Sequence, residues 1–513
     1  MDSANTTTET SYASAEATLH GRAPSQQSAE ASTLPVDEKA GDDFEPLDWD
    51  GPDDSDNPKT WSPAKKWFTT FVVAFMCLVV TFGSSIFVSG SVLIALDFGV
   101  SRTVALLGLS LYLIGLAMGP TLAAPLSETV GRRPVYLISL PVSMLFTMGV
   151  GLSKNVGSIL VLRFFSGMFA SPVLAVAGGT IMDIWDFDML GTAMSGFCLA
   201  PFAGPVLGPV IGGFLSEKKP WAWTMWVLLM FGGAILPFVV ACPETYKPII
   251  LKKRAVKRGI ALPPRPPPGQ ALKLIVSVTL VRPFAMLVLE PIVLALSVYM
   301  AFVFAVLFGF FEAFPFVFES VYHFGAGEVG LTFVGIGVGL LIGTAFYLFV
   351  ERKFYRKQFL AGTPGEPETR LLPAKVGAVC LPVALFWLGW SSRASVHWIV
   401  PVLAGVPFGM GLILLFFTVI TYLTMCFPPL TTASALAANN LARYVMAAGF
   451  PLFTIQMYEK MGIDWATSFY AFVSLALLPV PWVLSKYGKG LRMRSRYGYA
   501  ALAKDANKDL EIE

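Results

Sequence analysis

A chain of 513 residues that is 55% hydrophobic and only 14% charged lies outside the composition of soluble globular proteins and reads as a polytopic membrane protein. Its formal net charge of +3 says little as a sum, and no nucleic-acid partner is expected. The cysteines, Cys77, Cys198, Cys242, Cys380 and Cys426, have no paired spacing, and His20, His323 and His397 stand apart, so neither a disulfide framework nor a metal site is expected.

Residues 1–56 are rich in Ser, Thr, Ala and Glu, with acidic pairs at Asp42-Asp43 and Asp53-Asp54. They bury too little apolar surface to fold and are expected to form a disordered tail. The tail lacks the basic start and short apolar core of a cleavable signal, so the first spanning helix directs insertion. Apolar stretches of about 20 residues, the length that crosses a bilayer, then recur twelve times. Six fall in an N-terminal bundle, 57–243, near 67–90, 104–125, 134–153, 157–180, 190–215 and 222–242. A basic, proline-rich loop, 244–282, includes Pro263-Pro264-Arg265-Pro266-Pro267-Pro268. Six more fall in a C-terminal bundle, 283–487, near 284–312, 327–350, 373–391, 397–425, 432–456 and 466–486, and 488–513 forms a short tail. The expected fold class is an all-α membrane protein, twelve transmembrane helices in two six-helix bundles. Lysine and arginine decide its orientation. The loops on one side hold only Arg102, Lys154, Lys218, Lys219, Arg393 and Lys460, whereas the basic tails, the 244–282 loop and the loops at Arg132-Arg133 and 352–375 all lie on the other. Both termini are therefore expected in the cytoplasm.

Two arginines, Arg163 and Arg443, fall inside spans. A charge at mid-bilayer costs roughly 2.5–3.5 kcal/mol on insertion scales, so each faces protein or water and needs a partner; Glu290, Glu312 and Asp97 are the acidic candidates. Arg163 reads either as a buried hydrogen-bonding post or as a fixed charge that lowers a carboxylate's proton affinity and couples protonation to cargo binding. Glu290 is placed several residues into span seven and Glu312 near its outer end. On one helix they stand about 33 Å apart and cannot form one site, so each reads as a proton or cation site of its own or as a side chain snorkelling to an interface.

Between spans two and three, Leu126-Ser127-Glu128-Thr129-Val130-Gly131-Arg132-Arg133 is a tight loop. Gly131 permits a turn with positive φ, and Glu128 can pair with an arginine or sit at a helix N-terminus. Glu351 and Arg356 repeat the interval of Glu128 and Arg133, which suggests that the two halves are duplicates. Span five contains Gly204-Pro205-Val206-Leu207-Gly208-Pro209-Val210-Ile211-Gly212-Gly213. Gly204, Gly208 and Gly212 share one helix face without side chains, and Pro205 and Pro209 bend the helix where it can approach a neighbour. Span eight repeats the pattern at Gly335, Gly339 and Gly343, read as a packing face. Ser434, Asn439, Asn440 and Arg443 make span eleven polar and turn it inward. Tyr299, Phe308 and Phe311 make span seven aromatic, suited to a cationic or amphipathic ligand or to contact with lipid.

Taken together, these motifs resemble the major facilitator superfamily, and within it the fungal drug:proton antiporters with twelve spans, near polyamine and multidrug exporters. Leu126 to Arg133 is similar to the superfamily's span two–three motif, with Glu128 in place of the usual Asp. Arg163 with Gly167 resembles its span-four motif, and Gly204 to Gly213 its span-five antiporter motif. Asn57-Pro58-Lys59-Thr60-Trp61-Ser62, Pro243-Glu244-Thr245-Tyr246 and Phe311-Glu312-Ala313-Phe314-Pro315 are similar to stretches of the fungal group. Two positions depart from it. No basic residue precedes Gly191 after Asp183-Ile184-Trp185-Asp186, and Ala222 stands where the group has Arg.

The resemblance implies two bundles rocking about a midplane cavity and proton-driven export of drugs, toxins, secondary metabolites or polyamines. With these readings, proton coupling is expected of Arg163, Glu290 and Glu312, gating of Glu128, Gly131, Arg132 and Arg133, sealing of the halves of Gly204, Pro205, Gly208, Pro209, Gly212 and Gly213, and a cavity lining of Tyr299, Phe308, Phe311, Asn439, Asn440 and Arg443. No cofactor beyond the proton gradient is expected, and the protein is expected to be a monomer in the plasma membrane, with the vacuolar membrane as the alternative. A facilitator or importer of a metabolite or polyamine has the same fold. A non-transporting receptor is the reading from another class, and the short C-terminus, Lys504 to Glu513, offers it no signalling domain. No GxSxG, HExxH or histidine cluster points to an enzyme.

Overall fold

A computed structural model of the chain describes residues 47–260, 281–360, 366–499 and 501. The Pro-rich run at 263–268, the tail up to residue 46 and Lys504 to Glu513 lie outside the described residues. An apolar segment in a bilayer must satisfy its backbone internally, which in this chain means helices. The first bundle comprises α1 (Pro63–Ser89), α2 (Arg102–Val130), α3 (Arg132–Gly151), α4 (Val156–Ile184), α5 (Phe187–Lys218) and α6 (Ala222–Ala241). A surface helix, Lys247–Arg258, follows. The second bundle comprises α7 (Pro291–Tyr322), α8 (Val334–Val350), α9 (Leu372–Ser391), α10 (Gly405–Cys426), α11 (Pro429–Gly449), α12 (Pro451–Leu477) and α13 (Val480–Met493). Among the described residues there is no strand.

By length and composition, 11 helices among the described residues can cross a membrane. Helix α11 is not one of them, because Thr431, Ser434, Asn439, Asn440 and Arg443 make it polar. The remaining apolar stretch, Pro451–Met493, doubles back at Gly462, whose φ of 78° lies in the region that glycine alone enters freely. Tyr458 Oη stands 2.9 Å from Thr467 Oγ1, although nine residues of straight helix would separate them by about 13 Å along the axis. Among the described residues the chain therefore runs through α11 and the first part of α12, up to Gly462, as one crossing and back through the rest of α12 and α13 as the next, twelve in all.

Span seven differs from the sequence expectation. A short helix, Arg282–Leu289, ends at Glu290, whose backbone is extended (φ −103°, ψ 105°) before Pro291, as the residue preceding proline is driven to be. Helix α7 starts only there and runs to Tyr322. Glu290 thus sits at a helix start, where its Oε1 accepts from the backbone N–H of Arg496 at 2.9 Å, rather than several residues into the span.

Glycines set how closely neighbours pack. A side chain at Gly335 or Gly339 of α8 would strike the carbonyl oxygens of Val402 and Val406, and one at Gly343 would strike Ile413. The span-eight glycine row is therefore a contact face against α10 and its leading turn. We call the face that carries both described chain ends basal and the opposite one apical.

On the basal face, residues 47–62 are strapped to the surface helix. Asp48 pairs with Lys247 at 2.8 Å, Arg254 holds both oxygens of Asp54 at 2.6 and 2.8 Å and also Asp56 at 2.8 Å, and Arg258 takes Asp50. Residues 47–56 of the expected tail are part of this clasp. The Arg254 hydrogen bonds hold the Asp54 carboxyl well below the usual carboxylate range. A depressed folded-state value means that the contribution is present above the ordinary carboxylate pKa of about 4 and is lost as pH falls through the lowered value. Protease protection of 47–62 is accordingly expected to persist from pH 7 to 5 and to fail only in stronger acid, whereas Asp54→Asn removes it at pH 7. Equal protection of that variant and the parent would show the clasp to be incidental.

Candidate functional site

The small-residue face of α5 fits onto α1 in matching four-residue steps. Gly204, Gly208 and Gly212 lie on Thr81, Ser85 and Ser89, so that a Cβ at Gly212 would sit 2.6 Å from Ser89 Oγ and one at Gly208 would overlap Ser85 Oγ. Ser85 Oγ also donates to the Gly204 carbonyl at 3.0 Å. This contact is internal to the first bundle, contrary to the expectation that the whole row seals one half against the other. The other edge of the motif does reach across. A Cβ at Gly213 would meet the Ala326 carbonyl, and one at Gly330 would meet the Pro209 carbonyl, both in the short helix Ala326–Thr332 that leads into α8. Pro205, four residues before Pro209 on the same stripe, is buried.

Arg163 on α4 is fully buried. Its Nε donates to the Gly108 carbonyl at 3.1 Å and its Nη1 to the Gly83 carbonyl at 3.0 Å, while its guanidinium stacks between Phe87 and Tyr112, 4.4 and 4.1 Å from their ring centres. Among the described residues no carboxylate pairs with it, so the expected partners Glu290, Glu312 and Asp97 do not serve. Backbone oxygens and ring faces disperse the charge instead, and the arginine ties α4 to α1 and α2.

In the loop between α2 and α3, Gly131 has φ 107°, and the Glu244 carboxylate occupies the space where a Cβ would stand. Glu244 accepts from the backbone N–H groups of Arg132 and Arg133 at 2.9 and 3.2 Å, capping the start of α3 where the helix dipole favours an anion. Arg132 pairs with Asp183 at the end of α4 (3.3 Å), donates to Ser127 Oγ (2.7 Å) and faces the Tyr246 ring. Arg133 donates to the Val240 carbonyl. The roles foreseen for Glu128 are thus filled by Asp183 and Glu244, and Glu128 is exposed. Sequence spacing could not show this, because both acids come from remote segments.

Where the bundles meet, Arg443 of α11 lies among the rings of Phe304, Phe416 and Tyr444 at 4.3, 5.1 and 5.0 Å, and its Nη2 donates to Asn440 Oδ1. Phe202 of α5 closes this box from the other bundle, with ring centres 5.7 Å from Phe304 and 4.6 Å from Phe416. Asn439 donates to Ser297 Oγ at 3.4 Å, and Tyr299 is buried with its hydroxyl unpaired among the described residues. Phe308 and Phe311 pack on each other, and Phe311 packs on Phe333, inside the second bundle rather than in the box. Phe202, Phe304, Phe416 and Tyr444 were not singled out by sequence, since one aromatic among 41 Phe and 15 Tyr carries no mark of which face it lies on.

The bundles are also joined at both faces. On the basal side Arg356 approaches Asp188 at 3.7 Å, and Glu351 packs against Gly191 while pairing with Arg370 at 2.7 Å. On the apical side Arg102 of α2 reaches Glu312 of α7 at 2.8 Å, and the backbone N–H of Gly327 donates to Glu217 at 2.6 Å.

Two helical bundles, joined by ion pairs at each face and by an arginine–aromatic box between, define an all-α membrane transporter. The chain belongs to the Major Facilitator Superfamily, whose sequence model matches residues 73–451. It is 52% identical over 498 residues to Polyamine transporter 4 of Saccharomyces cerevisiae, covering 91% of this chain and 75% of that protein. It is 40% identical over 452 residues to the Major facilitator superfamily multidrug transporter mdrA of Aspergillus fumigatus, covering 86% and 74%. Among solved structures, the proton:xylose symporter XylE shares the fold, with a TM-score of 0.62 at 16% identity over 82% of this chain and 96% of that one.

Proposed function

We propose that this transporter is a proton-coupled exporter of small organic molecules, such as drugs, toxins, secondary metabolites or polyamines, with both termini in the cytoplasm and the plasma membrane as its site. The observation that carries the reading is the pair of cross-bundle closures, Asp188–Arg356 on the basal side and Arg102–Glu312 on the apical side, on either side of the Arg443 box. A carrier that alternates its access needs contacts of this kind to break and re-form at each face. Export is supported by relatives named as multidrug and efflux proteins, and the orientation by the concentration of Lys and Arg on the basal side. Arg163 holds a buried fixed charge between α1, α2 and α4, and Glu312 is the buried carboxylate that can carry the proton. Each proton entering down 100 mV supplies roughly 2.3 kcal/mol, enough to drive a substantial outward gradient.

The test is transport in inside-out vesicles, with susceptibility profiling of deletion and overexpressing strains against drugs, weak acids and polyamines to choose the cargo. An acid-interior gradient is expected to drive cargo uptake into such vesicles, and a protonophore to collapse it. A facilitator would be indifferent to the gradient, and that result would replace this reading.

A further inference from the structure

We infer that the cargo of this transporter carries a carboxylate, and that Arg443 binds it midway through the membrane. The inference rests on the transporter reading and narrows its cargo, without depending on direction or proton coupling.

The helices that build the aromatic box bring their residues to one depth. Arg443 of α11, Phe304 of α7 and Phe202 of α5 each stand about 20 Å from the basal start of their helix, near the middle of a hydrocarbon core about 30 Å thick. A cation at that depth needs a counter-charge or a strong set of acceptors. Arg443 is only 8% exposed, its Nη2 donates to Asn440 Oδ1, and its Nε is buried without an acceptor among the described residues. Arg163 differs, because it donates to carbonyls of two other helices and so serves as a post. Asn440 belongs to α11 itself, one turn from Arg443, so this hydrogen bond ties no helix to another. The charge of Arg443 is held but not matched.

No carboxylate of the box helices matches it. Their acidic residues are Asp188 and Glu217 at the two ends of α5 and Glu312 and Glu319 in the apical part of α7, and α10 and α11 have none. Glu312 lies about 12 Å beyond Phe304 along the axis and is paired with Arg102. A carboxylate cargo supplies the missing counter-charge, through charge-assisted hydrogen bonds to the guanidinium. The rings of Phe202, Phe304 and Phe416 suit a flat apolar body, and Asn439 with Ser297 adds polar groups on the basal side of the box. Phe202 comes from the other bundle, so parting of the bundles uncovers the arginine to arriving cargo. A polyamine meets the opposite condition. It finds no carboxylate in the box, and Arg443 already lies over the ring faces that would take an ammonium. The aromatic residues of span seven that suggested a cation, Phe308 and Phe311, pack inside the second bundle instead.

The experiment measures equilibrium binding to full-length protein in nanodiscs, with empty nanodiscs as the blank and no gradient applied. The probes are benzoate, naphthoate and indole acetate, each beside its neutral amide and its amine of matched shape, with spermidine as the polycation. The tightest carboxylate is expected to bind at least roughly tenfold more strongly than its amide, which is what one hydrogen bond to a charged group provides, and spermidine is expected not to displace it. Arg443→Gln is expected to abolish the preference for carboxylate over amide, and Arg443→Lys to restore part of it, which a residue acting through packing alone would not do. Carboxylates that bind no better than their amides in the parent protein would overturn the inference, and that comparison needs no variant to fold. A preference that survives in Arg443→Gln, or displacement of the carboxylate by spermidine, would overturn it as well. Selective carboxylate binding without gradient-driven movement in vesicles would count against proton-driven export and leave the anion site standing, whereas gradient-driven movement of polyamines alone would do the reverse.

Discussion

Gly208→Leu is expected to abolish export and to lower the yield of folded protein at the membrane. A Cβ at this position would overlap Ser85 Oγ and come within 2.6 Å of Ser85 Cβ and 2.7 Å of the Ile86 backbone nitrogen. A serine hydroxyl can rotate aside, but a backbone nitrogen in the middle of α1 cannot. The two helices must therefore separate, which costs about 1–3 kcal/mol as overpacking and breaks the Ser85 to Gly204 hydrogen bond as well. Separation also displaces the Pro209 and Gly213 edge of α5 that bears on the second bundle, so turnover is affected more than folding. Gly208→Ala is expected to give a milder form of the same loss. Gly233→Leu is the control, because nothing lies within 4 Å of a Cβ there. Export normalised to surface level, with the thermal midpoint of purified protein, measures both effects. Wild-type export by the leucine variant would mean that α1 and α5 are not in close contact in the working protein.

The contrast between these two glycines shows what the sequence can convey. A four-residue row of glycine with adjacent proline announces a close helix contact, because each residue is costly unless something approaches it, and the spacing alone gives the face. It does not say which helix approaches, and the neighbour is α1 of the same bundle. The twelve crossings were legible for the same reason, as hydropathy is a local property. The polar eleventh was found in the sequence because Asn439, Asn440 and Arg443 interrupt an otherwise apolar pattern. Pairings across distance were not legible. Glu128 is near the two arginines of its loop in sequence, yet the acids that meet them, Asp183 and Glu244, arrive from α4 and from beyond the end of α6. Hydropathy places Glu290 and Glu312 on one helix, whereas Pro291 separates Glu290 from α7 and leaves it a basal contact with the Arg496 backbone. Arg102, an interface residue by its position, turned out to reach the buried carboxylate that the two intramembrane arginines do not.

Arg163→Ala is expected to reduce proton-driven export by more than tenfold and to lower thermal stability. The side chain makes two charged hydrogen bonds, to Gly83 of α1 and Gly108 of α2, and a hydrogen bond of this kind is worth about 1.5–3 kcal/mol. The stacked rings of Phe87 and Tyr112 add a contribution of their own, and alanine leaves the space between them empty. Two further variants separate the structural share from the electrical one. Arg163→Met fills the volume without charge, and Arg163→Lys keeps the charge but has a single ammonium that cannot span both carbonyls as the planar guanidinium does. A post acting only through packing would leave Arg163→Met close to the parent in export and make Arg163→Lys no better than it. A charge that acts on the proton site gives the opposite order, in which Arg163→Lys retains slow export that still follows the pH gradient and Arg163→Met, though folded, loses that dependence. The second order is the expected one, because among the described residues no carboxylate pairs with this cation, so its field is not cancelled locally. Unchanged gradient-dependent export in Arg163→Ala, at equal surface level, would remove Arg163 from the mechanism and leave the coupling to the apical carboxylate alone.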